Sequence, residues 1–232
     1  MMKVMIIIPA YNEAESIERV VDNLTEKYPQ YDYVIVNDGS KDNTAEICHR
    51  RGYRVINLPV NVGLAGGFQA GMKYAYINGY DAAVQIDGDG QHDPVYIEKL
   101  IREMEDRQCD IVIGSRFVDE KKPFTARMLG SRVISWAIHV TTGQHIGDPT
   151  SGMRLFGKRV LKEFATTMNY GPEPDTVAYL IRNGVKVSEV QVEMQERQAG
   201  ESYLNITRSM WYMICMCMSI FFIQWFREKR ED

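Results

Sequence analysis

Short apolar runs alternate with helix-like segments along the first half of the chain, and this alternation most constrains the fold. Between the runs, apolar residues recur at the three- and four-residue spacing of a helix, as Ile17, Val20 and Leu24 do. Strands that alternate with helices are joined by right-handed crossovers into a mostly parallel sheet, which predicts an α/β fold. The predicted strands are 3–8, 33–36, 54–58, 82–86 and 110–114.

Length and composition limit the function classes. The chain has 232 residues, enough for one large α/β domain or two small ones. Its net charge of −4 gives no reason to expect nucleic-acid binding. The four cysteines follow no zinc-ligand spacing and no paired framework, so reduced thiols in a cytosolic protein are expected. Met1 is followed directly by a strand without a charged leader, so no signal peptide is expected.

Two aspartates, Asp87 and Asp89, follow the fourth predicted strand. Residues i and i+2 of an extended segment face the same way, so these carboxylates can converge on one point. Gly88 and Gly90 let the backbone turn tightly beside a ligand. Hard oxygen ligands of this kind suit Mg²⁺ or Mn²⁺ shared with a phosphate-bearing substrate. The alternative is a polar β-turn, since Asp-Gly pairs form turns readily.

Three polar clusters fall at the carboxyl ends of predicted strands, where ligands of open α/β sheets bind. They are Asp38, the Asp87/Asp89 pair and residues 114–116. Asp38 could accept hydrogen bonds from a base or ribose, or cap the next helix. Tyr11 could stack on a base, or pack in the core.

The glycine-rich stretch 63–71 matches neither the P-loop nor the dinucleotide-binding fingerprint. This mismatch disfavours a P-loop NTPase or a dinucleotide-dependent dehydrogenase. The glycines could instead allow close packing of a helix.

Six short polar motifs follow one another along the chain. They are Ile8-Pro9-Ala10-Tyr11-Asn12-Glu13, Val36-Asn37-Asp38-Gly39-Ser40, Asn61-Val62-Gly63, Asp87-Gly88-Asp89-Gly90-Gln91-His92, Gly114-Ser115-Arg116 and Thr150-Ser151-Gly152-Met153-Arg154. Their order is that found in family 2 glycosyltransferases, and the chain resembles the dolichol-phosphate mannose synthase-like branch of that family, which loads a sugar onto a polyprenyl phosphate. The resemblance covers residues 3–205 and implies a GT-A fold for a catalytic domain of residues 1–205.

The resemblance implies a nucleotide-sugar site with a divalent metal, Mg²⁺ or Mn²⁺, held on the diphosphate by Asp87, Asp89 and Gln91. Such a metal neutralises charge as the nucleotide leaves, which lowers the barrier to displacement at the anomeric carbon. Arg197 lies in a segment, 196–202, that resembles the family's R-x-x-G-x-S loop, and it would add a cation on the diphosphate. The alternative for that segment is an exposed turn. The residues implied to bind the nucleotide sugar are Pro9, Tyr11, Glu13, Asp38, Gly66, Asp87, Arg197 and Ser202.

The segment 116–132 is basic, with five Lys or Arg residues against Asp119 and Glu120. Such a segment is usually a solvated face, but beside a metal–diphosphate rim it could collect an anionic acceptor. The resemblance implies that Arg116 and Arg132 bind a lipid phosphate. The apolar segment 133–140 could meet a membrane or a prenyl chain, or pack in the core.

Asp148 matches the aspartate of the family's D-x-T-S-G-x-R element, which lies near the acceptor, so we interpret it as catalytic. A general base is the obvious role, although a lipid phosphate is already an anionic nucleophile. Orientation of the acceptor or of its arginines is the alternative. Glu173 and Asp175 are secondary candidates in a segment whose prolines depart from the family pattern.

Residues 209–226 contain no charged residue, but these 18 residues are at the short limit of a membrane span, which needs about 20. Aromatic residues mark both ends, as at a membrane interface. If the catalytic domain faces the cytosol, however, a single span would place the cations from Arg227 onward outside, against the positive-inside tendency. We expect residues 206–232 to form an apolar helix with a charged tail, in the membrane interface or against a small membrane protein. A soluble dimer helix is the alternative.

These features together predict a metal-dependent hexosyltransferase on the cytoplasmic face of the plasma membrane. It would move glucose or N-acetylglucosamine from a UDP-sugar to undecaprenyl phosphate, for cell-surface polysaccharide modification. The uridine rests on the resemblance alone. The alternatives are a transferase acting on a growing glycan and a non-catalytic nucleotide-sugar-binding membrane scaffold. A homo-oligomer is a further option.

Overall fold

The computed structural model describes residues 2–194 and 206–227, so the predicted ligands Arg197 and Ser202 lie outside the described residues. The strands are β1 Val4–Ala10, β2 Asp32–Asn37, β3 Val55–Asn57, β4 Ala82–Gln85, β5 Ile111–Ser115, β6 Arg154–Gly157 and β7 Val187–Gln191. The α-helices are α1 Ile17–Lys27, α2 Thr44–Arg50, α3 Gly63–Ile77, α4 Ile97–Arg107, α5 Ala126–Thr142, α6 Lys158–Thr166, α7 Pro174–Arg182 and α8 Ile206–Phe221. Two 3₁₀ helices cover Pro94–Tyr96 and Ile223–Phe226.

The strands form one sheet in the order β3-β2-β1-β4-β6-β5-β7. Only β6 runs antiparallel to its neighbours, β4 and β5, while the other pairs are parallel. The predicted mostly parallel α/β sheet is therefore confirmed. Because β6 enters from the opposite direction, its first residue, Arg154, pairs with Gln85 and Ile113 at the carboxyl ends of β4 and β5. The segment before β6 therefore reaches the same rim as the loops after the parallel strands.

Two apolar clusters cover the two faces of the sheet. Met5 and Ile7 of β1 belong to one cluster, and Ile6 and Ile8 belong to the other. Successive side chains of a strand point to opposite faces, so an apolar run buried on both sides is what a central parallel strand requires.

Helix α3 packs closely on β1 at Gly71, where an added Cβ would overlap Cγ2 of the buried Ile7. A Cβ at Gly67 of the same helix would make only ordinary contacts, 3.9 Å from Asp38 Cβ and Val36 Cγ1. Close helix packing is therefore the role of Gly71.

We expect Gly71→Ala and Gly67→Ala to change stability in opposite directions. The alanine at 71 overpacks the core, at about 1–3 kcal/mol, which exceeds its gain in helix propensity of about 1 kcal/mol. At Gly67 only the favourable propensity change remains. Urea denaturation of both variants measures this, and equal free energies of unfolding would contradict the packing role.

Helix α8 packs against α5 and α7. An added Cβ at Gly130 of α5 would overlap Sδ of Met213, so the two helices cross closely there. Asp175 Oδ2 accepts hydrogen bonds from Ser219 Oγ (2.6 Å) and Arg227 Nη2 (2.5 Å), and the Tyr212 hydroxyl donates to Glu173. The two secondary candidates thus contact the C-terminal segment. Among the described helices, none combines the length and apolar character that a membrane crossing requires. The domain division at residue 205 stays a prediction.

Candidate active site

The loops after β1 and β2 are joined to each other. Asn12, at the tip of the first loop, has a positive φ of 57°, which an asparagine tolerates better than most residues. Each of the four joining hydrogen bonds runs from a backbone N–H to a side-chain oxygen. They are Asn12 N to Ser40 Oγ (3.0 Å), Lys41 N to Asn12 Oδ1 (2.8 Å), Glu13 N to Thr44 Oγ1 (2.9 Å) and Ala14 N to Asp42 Oδ2 (3.0 Å). The two loops therefore form one unit at the rim.

Asp42 is central to this unit. Burial alone would raise the pKa of its carboxyl, but hydrogen bonds from Thr44 and from the N–H of Ala14 give a net lowering of the pKa from 3.8. The ionised Asp42 carboxylate therefore contributes fully to the free energy of unfolding above pH 3.8. This contribution is lost as the pH falls through the lower pKa of the carboxyl in the folded state.

We expect Asp42→Ala to loosen the first loop, because the hydrogen bonds to Ala14 and Thr44 are lost. Each is worth about 1 kcal/mol, so the KM for a nucleotide sugar should rise by about fivefold or more. Glu46→Ala, which removes the same charge from an exposed position on α2, is the matched control. Equal kinetics of the two variants would contradict this role for Asp42.

Asp38 lies buried at the end of β2, and its Oδ1 accepts a hydrogen bond from the N–H of Val62 (2.8 Å). Val62 is the N-cap of α3, so Asp38 fixes the start of that helix. Helix α2 begins at Thr44 after Asn43, so Asp38 does not cap it. Tyr11 is half-buried and belongs to neither core cluster. Ligand binding by both residues stays a prediction.

The Asp87–Asp89 turn is held by its own neighbours. Gln85 Nε2 donates to Asp87 Oδ1 (3.0 Å), and the N–H of Asp87 donates to His92 Nδ1 (3.1 Å). Asp89 is buried, and its Oδ1 accepts from the N–H of Gln91 (3.0 Å). The predicted metal ligands thus share one short turn.

Two glycines bring other loops against this turn. A Cβ at Gly88 would lie 3.2 Å from the Pro9 carbonyl and 3.6 Å from Glu13 Cγ. A Cβ at Gly152 would lie 2.7 Å from Asp87 Oδ2 and 2.9 Å from His92 Cε1. The turn therefore contacts the first loop on one side and the segment before β6 on the other.

Asp87, Asp89 and Gln91 offer only oxygen donors, two carboxylates and one amide. His92 Nδ1 already accepts from the backbone, so it does not compete as a nitrogen ligand. Within 2–194 and 206–227 no group of three His, Cys, Asp or Glu side chains could hold a metal. A set this small fits a hard divalent cation that takes its remaining ligands from water and phosphate. The residues therefore fit Mg²⁺ or Mn²⁺ shared with a diphosphate.

Asp148 is fully buried and forms a bidentate ion pair with Arg116. The distances are 2.7 Å from Arg116 Nε to Oδ2 and 3.0 Å from Nη2 to Oδ1. Glu189 of β7 accepts the backbone N–H groups of Gly147 (2.5 Å) and Asp148 (2.8 Å). Because both oxygens of Asp148 are engaged by Arg116, the geometry favours the orienting role over a general base.

Lys122 and Arg132 lie beside this pair. Arg132 Nη2 donates to the Lys122 carbonyl (2.6 Å), and Lys122 Nζ donates to Ser131 Oγ (2.9 Å). Burial lowers the pKa of Lys122; Asp148 and Glu189 oppose this effect, and the neighbouring Arg116 and Arg132 add to it. Three of the five basic residues of the segment, Arg116, Lys122 and Arg132, therefore form a cluster of cations, while Lys121 is exposed.

Arg154 and Glu189 are two buried or half-buried charged residues beside the site for which the sequence predicts no role. Arg154 is buried, and its guanidinium donates to the carbonyls of Ser151 (2.8 Å), Pro149 (2.7 Å) and Pro172. Burial lowers its pKa, while nearby anionic groups oppose that shift. Arg154 is the last residue of the motif Thr150-Ser151-Gly152-Met153-Arg154, so its importance could have been predicted from the sequence. Glu189 lies in none of the six motifs.

The sequence matches the profile of one known protein family over most of its length. The sequence profile of "Glycosyl transferase family 2" matches residues 5–165. The chain belongs to this glycosyltransferase family.

Relatives within the family are named for transfer to polyprenyl phosphates. The undecaprenyl-phosphate mannosyltransferase of Micrococcus luteus is 31% identical over 220 residues, which cover 88% of each chain. The UDP-N-acetylglucosamine–dolichyl-phosphate N-acetylglucosaminyltransferase of Methanococcus voltae is 31% identical over 82% of this chain and 84% of its own. The polyprenol monophosphomannose synthase of Mycolicibacterium smegmatis is 28% identical over 88% and 81%. The predicted branch is therefore confirmed.

Solved structures confirm the GT-A-like fold of this family 2 glycosyltransferase. The glucosyl-3-phosphoglycerate synthase of Mycobacterium tuberculosis, in complex with phosphoglyceric acid, has a TM-score of 0.74 at 17% identity. The match covers 94% of this chain and 80% of that one. The same enzyme in complex with Mn²⁺, UDP and glucosyl-3-phosphoglycerate has a TM-score of 0.69 at 18% identity, with the same coverage.

Proposed function

We propose that this protein transfers a hexose from a nucleoside diphosphate sugar to undecaprenyl phosphate, with inversion at the anomeric carbon. The proposal rests on one observation: the segment before β6 contacts the cation cluster at one end and the Asp87–Asp89 turn at the other. Asp148, at one end of the segment before β6, holds Arg116 of the cation cluster. Gly152, four residues later, lies against Asp87. An acceptor phosphate and a donor diphosphate would thus be held on either side of one short segment.

The chain's own residues account for the steps of a single displacement. The joined loops with Asp38 would hold the nucleoside, and Asp87, Asp89 and Gln91 would hold a divalent cation. When bound, that cation supplies neutralisation of charge on the departing diphosphate. Arg116, Lys122 and Arg132 would orient the acceptor phosphate by charge-assisted hydrogen bonds. One of its oxygens forms a bond to the anomeric carbon as the bond from that carbon to the diphosphate oxygen breaks.

No proton has to leave the nucleophile in this reaction, because a phosphate monoester is anionic at neutral pH. The proposal therefore gives Asp148 the task of holding Arg116 in place. A growing glycan as acceptor is the less favoured alternative, since a neutral hydroxyl needs a base and gains little from three gathered cations.

The donor is proposed from similarity. The structural neighbour binds UDP with Mn²⁺ and a relative is named for UDP-N-acetylglucosamine, which supports UDP-glucose or UDP-N-acetylglucosamine. Other relatives are named for mannose transfer, so GDP-mannose belongs in the same assay. We infer further that the protein acts on the cytoplasmic face of the plasma membrane and makes a lipid-linked sugar for cell-surface polysaccharide.

The test is incubation of the full chain with each radiolabelled donor, Mn²⁺ and undecaprenyl phosphate, followed by extraction of the lipid. We expect label in the lipid fraction with one donor, and none when undecaprenol replaces its phosphate. No lipid label with any donor would overturn the proposal. Donor binding without turnover would identify the scaffold alternative instead.

A further inference from the structure

Helix α5 presents a stripe of large apolar side chains to solvent. Their spacing of four, three and four residues places them on one helix face. They are Leu129, Val133, Trp136 and Val140, each between 43% and 58% exposed. Ile134, Ala137 and Ile138 are buried on the opposite side, which confirms the core-packing alternative for that side of 133–140. Contact of the exposed side with a membrane stays a prediction.

Helix α8 and the residue after it present a second stripe. The spacing is three, four and four residues, and the side chains are Trp211, Ile214, Met218 and Phe222, between 50% and 69% exposed. Trp225 and Phe226 of the following 3₁₀ helix extend it, at 61% and 86% exposed.

The two stripes are continuous. The helices cross closely at Gly130 and Met213. The ring of Trp136 lies 5.8 Å from that of Phe221, and Phe221 lies 6.4 Å from Phe222. We call the combined surface of these two stripes the α5–α8 face. Soluble monomers rarely expose a contiguous apolar surface of this kind without a binding role.

One end of the α5–α8 face meets the cation cluster. Phe124, just before α5, is 92% exposed, and its ring stacks with the guanidinium of Arg132 at 4.8 Å. Lys121 is also exposed there. An apolar face bordered by cations and marked by tryptophans is the pattern of an interfacial membrane-binding surface.

We propose that the α5–α8 face docks into the surface of an anionic lipid bilayer without crossing it. This docking deepens the proposed function. It rests on that function only where it describes how the lipid acceptor reaches the cation cluster. With the face in the headgroup–acyl boundary, a prenyl chain in the bilayer would place its phosphate at Arg132 and Lys122. A second copy of this chain is the rival occupant. Its own α5–α8 face would bring the same cations, Arg132 among them, into the contact, whereas anionic lipid headgroups complement them.

The chain carries its own probe for this surface. Its three tryptophans are Trp136, Trp211 and Trp225, and all three are exposed on or next to the face. Intrinsic fluorescence therefore reports docking without a label. With vesicles of phosphatidylcholine and phosphatidylglycerol that contain no polyprenyl phosphate, we expect an emission blue shift and quenching by brominated acyl chains. Both should weaken with phosphatidylcholine alone and at high salt.

The double variant Leu129→Glu/Ile214→Glu places one charge on each helix of the face. Each substitution replaces a large apolar side chain of the face with a charge, so vesicle affinity should fall by about 100-fold. Ile77→Glu/Val95→Glu is the matched control, because both residues are similarly exposed but lie on α3 and the first 3₁₀ helix. The control should bind vesicles like the unmodified chain.

Equal vesicle binding by the two double variants would overturn the proposal, as would unquenched wild-type fluorescence. A lipid-free dimer that Leu129→Glu/Ile214→Glu dissociates would assign the face to a second copy. If thermal melting shows that this variant is unfolded, the test is the quenching of the unmodified chain by brominated acyl chains: quenching supports the docking surface and its absence overturns it. Because donor and acceptor are absent, a chain that binds vesicles but transfers no sugar would overturn the proposed function and leave the docking surface standing.

Discussion

Replacement of Asp89 with alanine is expected to abolish sugar transfer while the fold stays intact. Asp89 is one of the two carboxylates in the oxygen-ligand turn, so its removal leaves Asp87 to hold a divalent cation against the charge of the departing diphosphate. We expect kcat to fall by about 10³-fold or more. The loss of the hydrogen bond from the N–H of Gln91 should cost only about 1 kcal/mol of stability.

Asp93→Ala provides the matched control for this substitution. Asp93 lies four residues later and caps the first 3₁₀ helix through the N–H of Val95 (2.9 Å). Its removal takes away the same charge and also a backbone hydrogen bond, but it leaves the predicted ligands in place. Label transfer and thermal melting should separate the two variants. Near-normal transfer by Asp89→Ala would refute the metal assignment, as would undiminished transfer after exhaustive chelation.

The second large effect concerns the Arg116–Asp148 pair. Arg116→Ala leaves a fully buried carboxylate without its bidentate partner, which we expect to destabilise the fold by about 3–5 kcal/mol. The double variant Arg116→Ala/Asp148→Ala removes both charges, so its loss should be smaller than the sum of the single losses. Urea denaturation of the three variants measures the coupling. Additive losses would show that the pair does not act as a unit.

Asp148→Asn separates the two roles weighed for this residue. An orienting role predicts a higher KM for the acceptor and an unchanged pH profile of kcat. A general base predicts a fall of about 10²–10⁴-fold in kcat and the loss of the ascending limb of that profile. The second result would return Asp148 to the reacting atoms and would favour a hydroxyl acceptor.

The sequence was sufficient to predict the rim of the sheet but not the contacts across it. Parallel strands all end at one edge, so Asp38, Asp87 and Arg116 could be placed together without coordinates. The pairing of Arg116 with Asp148 joins residues 32 apart, and that of Glu189 with Asp148 joins residues 41 apart. Such contacts depend on the antiparallel entry of β6, a four-residue strand too short to carry a periodic signal.

The C-terminal segment illustrates a different limit. Its apolar composition was evident, but composition does not tell which side of a helix is covered. The structure buries Ile220 and Ser219 against the domain while Trp211 and Met218 face outward. Only the packing of α8 on α5 and α7 divides the helix in this way.

Within the described residues, the Arg154 guanidinium holds the segment before β6 through hydrogen bonds to the backbone carbonyls of residues 149, 151 and 172. Every residue has a backbone carbonyl, so this anchor is indifferent to which side chains stand at 149, 151 and 172. Substitutions in the segment can therefore accumulate without releasing the clamp, provided that the arginine itself is kept. Under the proposed function, the side chains of this segment could therefore vary with the acceptor while the backbone that Arg154 holds stays in place.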